Sequence, residues 1–331
     1  VFSVEVLYSL ADSRYSHCPA NNFEREIYVK IGIALTDFSW PVPNGEIGSA
    51  VTELAQAADA SGIDSLWVMD HFFQIGISGH PPESPMLEAY AALGFLAGIT
   101  DRIRLGTLVT AVPYRHPGVL IKSATTLDVL SGGRLIFGVG AGAPFDPEPM
   151  GPRTTFEAEG LGIPFPRLPR RFEQLEELLQ IAHRMWSEDE TPYRGKHYEL
   201  ARPLNSPNSI QRPHPPILIG GSGERKTLPL VARYADACNL FDLPGSGYAD
   251  NLAHKLAVLR RQCDEIGRDY STIEKTVTTA LDIDSGPGPA LDHLKTLAAT
   301  GIDHAILGPD GPWTPPRLRR LIEMAPEIHA L

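Results

Sequence analysis

Ser65-Leu66-Trp67-Val68-Met69-Asp70-His71 is the stretch on which the reading of this chain turns. A short run of strand character passes without a break into an acid and an imidazole. A run this uniformly apolar suits a strand covered on both faces, as in a parallel sheet flanked by helices. In parallel α/β proteins, ligands and chemistry collect at the carboxyl ends of the strands. Asp70 and His71 therefore stand where a cofactor would be met.

The same strand-then-helix unit recurs on either side. Upstream, Val29 to Leu35 is a β-branched run, and Ile47 to Ala60 has apolar residues at helical spacing, closed by Gly62. Downstream, strands are expected at 103–109, 134–139, 216–219, 237–241, 274–279 and 302–307. The helices expected between and after them are 86–97, 117–130, 168–186, 224–234, 248–266, 288–299 and 315–324. Residues 192–200 (PYRGKHYEL) suggest a small hairpin. Strands alternating with helices indicate a parallel sheet. Eight units closing on themselves predict an α/β chain folded as a (β/α)8 TIM barrel, with a doubly wound sheet as the alternative. The Pro- and Gly-rich stretch 140–169 is too long for an ordinary connection and reads as an insertion region after strand four. Residues 1–27 have no sustained period and read as an N-terminal extension, leaving 28–331 as the barrel domain.

Composition narrows the function classes. A chain of 331 residues with a formal charge of −11 lacks the Lys/Arg clusters that nucleic-acid binding requires. No apolar run approaches the ~18 residues of a membrane span, and the first 27 residues do not form a convincing signal peptide. The three cysteines, Cys18, Cys238 and Cys263, form no C-x-x-C and cannot all pair, which fits a reducing cytoplasm. The eleven histidines show no metal-ligand spacing, so no metal site is expected. No G-x-S-x-G elbow is present.

Three constellations could carry chemistry. After strand five, Gly221-Ser222-Gly223-Glu224-Arg225-Lys226 opens a helix. Glycines there let backbone N–H groups converge on an anion, with Arg225 and Lys226 adding charge. A tight βα turn is the plainer reading of the same residues. At the end of strand three, Thr107 and Thr110 offer hydroxyls, and Tyr114-Arg115-His116-Pro117 offers a ring and a cation. At the end of strand four, Gly138-Val139-Gly140-Ala141-Gly142 lacks side chains at alternating positions, so Gly140 and Gly142 would let a flat ring approach the backbone. Glu157 and Glu159 in the long loop read as solvated charges, or as proton donors if the loop encloses them.

Taken together, the segments WVMDHF (67–72), PMLEAY (85–90), RLGTLVT (104–110), YRHP (114–117), TTLDVLSGGR (125–134), GVGAG (138–142), GIPFP (162–166), PPILIGGSGER (215–225) and VARYADACNLF (231–241) resemble the luciferase-like flavin superfamily. Within it, they resemble the oxidoreductases that use the deazaflavin coenzyme F420. The matches are collinear over most of the chain. The resemblance implies a luciferase-like TIM barrel, a homodimer, and a cofactor at the carboxyl end of the strands. Asp70 and His71 match the pair beside the deazaflavin ring, with His71 as proton donor or polariser and Asp70 shaping its environment. Leu108-Val109 matches a non-proline cis peptide that forms a bulge behind the ring. Thr107 matches a polar contact to the ring edge, and Gly221, Ser222 and Gly223 match the phosphate cradle.

The implied activity is hydride transfer between the deazaflavin C5 and a small organic substrate, by reduction of C=C, C=N or C=O or by oxidation of an alcohol. A reductase would supply the reduced cofactor. The alternatives are an FMN-dependent two-component monooxygenase and a cofactor-binding barrel without turnover. Two departures bear on mechanism. Ala143 stands where some relatives carry a catalytic glutamate, and the loop from Gly142 to Phe156 is long.

Overall fold

In a computed structural model, the described residues are 29–75, 80–142, 155–243, 248–249, 251–283, 285–308 and 311–328. The extension 1–27, Ala143 and most of the 142–156 loop lie outside them. Eight parallel strands form the barrel: β1 (Lys30–Leu35), β2 (Ser65–Val68), β3 (Arg104–Thr107), β5 (Leu135–Gly140), β8 (Ile217–Gly220), β9 (Ala237–Leu243), β11 (Glu274–Thr279) and β12 (His304–Leu307). The ring closes where β12 pairs with β1, His304 opposite Lys30 and Leu307 opposite Ile33. Three short pieces complete the strand set: β4 (Thr110–Ala111), the hairpin β6 (Tyr193–Arg194) with β7 (Glu199–Leu200), and β10 (Tyr248–Ala249), which pairs antiparallel with β9.

The helices are α1 (Ile47–Ala60), α2 (Ala89–Ile99), α3 (Pro117–Leu130), α4 (Thr155–Gly160), α5 (Leu168–Trp186), α6 (Thr227–Tyr234), α7 (Leu252–Ile266), α8 (Pro287–Thr300) and α9 (Pro315–Ile328). Local chemistry sets their ends. Pro117 opens α3 at a position whose N–H has no helical acceptor. Asn251 caps α7 by accepting from the His254 N–H at 3.1 Å, and Gly267 ends it at φ 71°. In α1 the buried residues are Ile47, Val51, Leu54, Ala55 and Ala58, one stripe laid against the barrel. No helix among the described residues is long and apolar enough to cross a membrane.

Two layers of core follow from strand alternation. Residues pointing outward meet the helices. Ala34, Trp67, Ile136, Leu218, Ala237 and Ile306 point inward and pack on one another, with Leu108 and Val109 against them. Trp67 fills much of this space, and its neighbours make way for it: a Cβ on Gly106 would lie 2.5 Å from the Trp67 ring. The Trp67 indole N–H donates to Ser65 Oγ at 2.7 Å, and Ser65 in turn meets His304 Nε2 at 2.8 Å.

The third barrel strand differs from its expected span. Residues 103–109 do not form one continuous strand; β3 stops at Thr107, the Leu108–Val109 peptide is cis, and pairing with β5 resumes at Thr110. Gly106 lies opposite Ile136 and Thr110 opposite Val139, so four steps on one strand face three on the other. One extra residue is accommodated there, a bulge at the carboxyl rim of the barrel.

Candidate active site

Because all eight barrel strands are parallel, the segments after β2, β3, β5 and β8 emerge at one end. Asp70, His71, the Leu108–Val109 bulge, Gly140 and Gly221–Arg225 therefore share that rim.

Neighbouring residues on an extended segment point opposite ways, and Asp70 and His71 diverge accordingly. Asp70 is buried and receives both Arg115 terminal nitrogens, Nη1 to Oδ2 at 2.6 Å and Nη2 to Oδ1 at 3.0 Å. Arg115 also donates to Glu88 and lies 4.8 Å from the centre of the Tyr90 ring. Burial works against the charge on Arg115, but the Asp70 contacts outweigh it and hold the guanidinium more firmly protonated than usual.

His71 turns the other way. Its Nδ1 lies 2.6 Å from Oε1 of Glu157, which α4 carries in from the insertion region. Glu157 is only 2 % exposed, and four groups bind it. Its Oε1 also accepts from the Tyr114 hydroxyl, and Oε2 accepts the backbone N–H groups of Phe72 and Phe73 at 2.7 and 3.2 Å. Burial opposes ionisation, yet the His71 and Tyr114 hydrogen bonds and the Phe72 N–H prevail, holding the carboxyl below its usual range. Glu157 is thus an enclosed carboxylate, whereas Glu159 is exposed. The Tyr114 hydroxyl is correspondingly hard to ionise, through burial and the Glu157 charge. With Nδ1–H directed at a carboxylate, His71 keeps Nε2 without a partner among the described residues. Phe72 and Phe165 pack against Tyr114 at ring-centre distances of 5.1 and 6.0 Å, giving His71 an aromatic surround.

The other expected residues sort by what already touches them. Thr107 donates its hydroxyl to Gly138 O at 2.7 Å. The glycines of β5 are occupied by this chain itself. A Cβ on Gly138 would lie 1.8 Å from Thr107 O, one on Gly140 would lie 3.0 Å from Val109, and one on Gly142 would lie 2.9 Å from Arg171 Nη1. They make room for the bulge and for Arg171, which donates to Ala141 O and Gly142 O. Gly221, at φ 113°, donates its N–H to Asn239 O. The N–H groups of Ser222, Gly223 and Glu224 have no acceptor among the described residues, and Arg225 and Lys226 are exposed with no carboxylate partner there. Glu224 is engaged elsewhere, by Lys255 at 2.7 Å and His254 at 3.1 Å.

Sequence reasoning named Tyr114 and Arg115 only as a ring and a cation at the barrel mouth, without partners, and left Glu157 undecided. Arg115 had one available signal: residues 69–101 contain no Lys or Arg, so a buried Asp70 needed a cation from beyond them.

Residues 29–308 match the luciferase-like monooxygenase family. The chain belongs to that family. Among curated relatives, the F420-dependent glucose-6-phosphate dehydrogenase of Kineococcus radiotolerans is 28 % identical over 256 residues, covering 75 % of this chain and 68 % of the relative. The enzyme of the same name from Amycolatopsis mediterranei is 27 % identical over 257 residues, covering 75 % and 69 %. Two solved structures share the fold. The monooxygenase RslO1 from Streptomyces bottropensis has a TM-score of 0.71 at 19 % identity, covering 91 % of this chain and 98 % of its own. An F420-dependent secondary alcohol dehydrogenase in complex with an F420-acetone adduct has a TM-score of 0.71 at 18 % identity, covering 91 % and 99 %.

Proposed function

We propose that this chain is an F420-dependent oxidoreductase that interconverts a small alcohol and its carbonyl compound, or an equivalent C=C or C=N pair, with His71 carrying the proton. The observation that bears most weight is the His71–Glu157 contact at the same rim as the bulge and the Ser222–Lys226 turn. The residues present suit the cofactor. Among the described residues, the 222–224 N–H groups have no acceptor and Arg225 and Lys226 no carboxylate partner, which fits an anionic phosphate-bearing tail. Leu108 and Val109 offer an apolar surface at the bulge for one face of a flat ring.

When bound, the deazaflavin supplies or accepts two electrons as a hydride. The protein handles the proton. Glu157 holds Nδ1–H of His71 and fixes the ring orientation. In the reducing direction His71 gives the Nε2 proton to the substrate oxygen, so hydride and proton together convert C=O to CH–OH. In the oxidising direction the neutral Nε2 takes the hydroxyl proton as hydride leaves carbon. Glu157 supplies a buried carboxylate to His71 although Ala143 stands where some relatives carry one. Tyr114 and the Phe72 and Phe73 N–H groups keep Glu157 ionised and in place. A separate reductase or dehydrogenase restoring the cofactor completes the cycle.

Parallel fluorescence titrations with F420 and FMN test the reading. Saturable binding of F420 at micromolar or lower concentration is expected, weakened at least tenfold in R225A/K226A. Tight FMN binding with no F420 response would overturn it in favour of a flavin monooxygenase.

A further inference from the structure

His71 has one ring nitrogen committed to Glu157, so its surroundings decide what can reach the other. Three separate stretches of chain supply them. Phe72 follows β2, Ala111 ends β4 with Tyr114 just beyond it, and Ala158, Ile163 and Phe165 come from the insertion region. Together they form one apolar cluster, distinct from the barrel core. Ala111 and Ala158 are buried within it, whereas Phe72, Ile163 and Phe165 are half-buried and keep part of their surface open.

The position of Phe165 is set by the strand beneath it. A Cβ on Gly142, which stands at φ 80°, would lie 3.2 Å from the Phe165 ring and 3.2 Å from Ala111 Cβ. The ring therefore comes down on the ends of β4 and β5, close to the Leu108–Val109 bulge. The Arg171 guanidinium lies 4.4 Å from its centre. His71 stands at the other side of Tyr114 in the chain of ring contacts, 6.4 Å from it centre to centre. Polar groups in the same place are already engaged within the protein. The Tyr114 hydroxyl and the Phe72 N–H donate to Glu157, and Arg115 is matched by Asp70. Arg171 donates to Ala141 O and Gly142 O.

From this we infer that the substrate carries its reacting carbon on an apolar body, an alkyl chain or an aryl ring, which packs on Phe72, Ile163 and Phe165 while His71 meets the oxygen. This rests on the F420 reading above and narrows its substrate class to a lone alcohol or carbonyl group on a hydrocarbon. Carbon placed against the cluster gains by leaving water, and an aryl ring also gains from the edges and faces of Phe72 and Phe165. A polyol in the same place would give up the water around each hydroxyl for side chains that offer it no hydrogen bond. The redox step is unchanged: hydride passes between the carbinol carbon and the deazaflavin, and the hydroxyl proton passes through His71 Nε2.

The test reads binding by saturation-transfer NMR on the whole chain, free and saturated with F420, with 2-propanol, 2-hexanol, 1-phenylethanol and uncharged glucose as probes. Transfer is expected to the hexyl and phenyl protons and not to glucose. In assays with F420, kcat/KM should rise by about tenfold or more from 2-propanol to 2-hexanol. The ratio of kcat/KM for 1-phenylethanol over that for 2-propanol should fall by about tenfold in F165N and return in F165L, a change of selectivity that partial loss of fold does not produce. Glucose bound as well as 2-hexanol, no transfer to any apolar probe, a flat alcohol series, or a ratio unmoved in F165N would overturn the inference. If F165N fails to fold, the series on the unaltered chain decides it. Failure of F420 to bind would instead bring down the cofactor reading, while transfer on the cofactor-free chain would still decide between a hydrocarbon and a polyol.

Discussion

Asp70 and Arg115 face each other through two parallel hydrogen bonds, 2.6 and 3.0 Å long, although they follow different strands. The pair crosses from the end of β2 to the segment after β3 and fixes the two on either side of the bulge. Removing one partner leaves the other charge buried without compensation, which costs about 3–5 kcal/mol. R115A is therefore expected to lower unfolding free energy by that amount in a denaturant titration. R115K keeps the charge but not the fork, and should fall between R115A and the unaltered protein. A loss below about 0.5 kcal/mol in R115A would mean that the pair does not hold the rim together.

His71 and Glu157 are predicted to separate by role. H71A should lower kcat by about 10²–10⁴, with F420 affinity changed less than tenfold. E157Q, which keeps the shape but not the charge, should lower kcat by about 10–100-fold, as losing a residue that orients a catalytic group does. Equal kcat in E157Q and the unaltered protein would remove Glu157 from the mechanism.

Acid should destabilise the barrel from its amino-terminal end. Glu274 is largely buried there, and burial opposes its charge. His304 at 3.6 Å and Lys30 at 2.7 Å outweigh that effect and bring its pKa from 4.5 down to about 2. A depressed folded-state pKa contributes stability above the unfolded value, and this stability fades as pH falls from about 4.5 through about 2. The contribution amounts to about 3 kcal/mol. Stability measured from pH 6 to pH 2 should decline over that window, and E274Q should flatten the decline.

Gly138 sets a steric limit on β5. Its Cβ would stand 1.8 Å from the Thr107 carbonyl oxygen, a contact between two backbones that no rotamer relieves. G138A should lose several kcal/mol or fail to fold. By contrast G132A, at a glycine with open space around it but φ 68°, should lose only about 1–2 kcal/mol. Similar melting temperatures for the two variants would contradict this packing.

Much of the fold was legible because burial periodicity is strong. Helices at 47–60, 117–130 and 168–186 and the strand at 274–279 fall on their expected bounds. The misses have local causes. The helix expected from Glu224 begins at Thr227, since the Gly221–Lys226 turn uses those residues, and Tyr248 pairs with β9 instead of starting α7. Strand three was expected unbroken because Leu108 and Val109 are both good strand residues, and only the cis peptide separates them. At the site, the family resemblance implied that Asp70 would shape the environment of His71. The alternation of an extended chain sends them to different partners, and the carboxylate beside His71 comes from 86 residues further on. A glutamate in a Pro- and Gly-rich loop carries no periodic signal of burial.

The pairing of β1 with β12 has a consequence during synthesis. The two strands are separated by some 270 residues, so the ring stays open until the ribosome has extruded β12. Until then the nascent chain presents β1 as a bare apolar ribbon, open to pairing with the wrong neighbour. Trp313 completes the seal late, donating its indole N–H to Ala34 O at 3.0 Å while its own carbonyl accepts from Trp40 at 2.8 Å. Slower translation of α8 and α9 would prolong that exposure, and chaperone demand should rise with it.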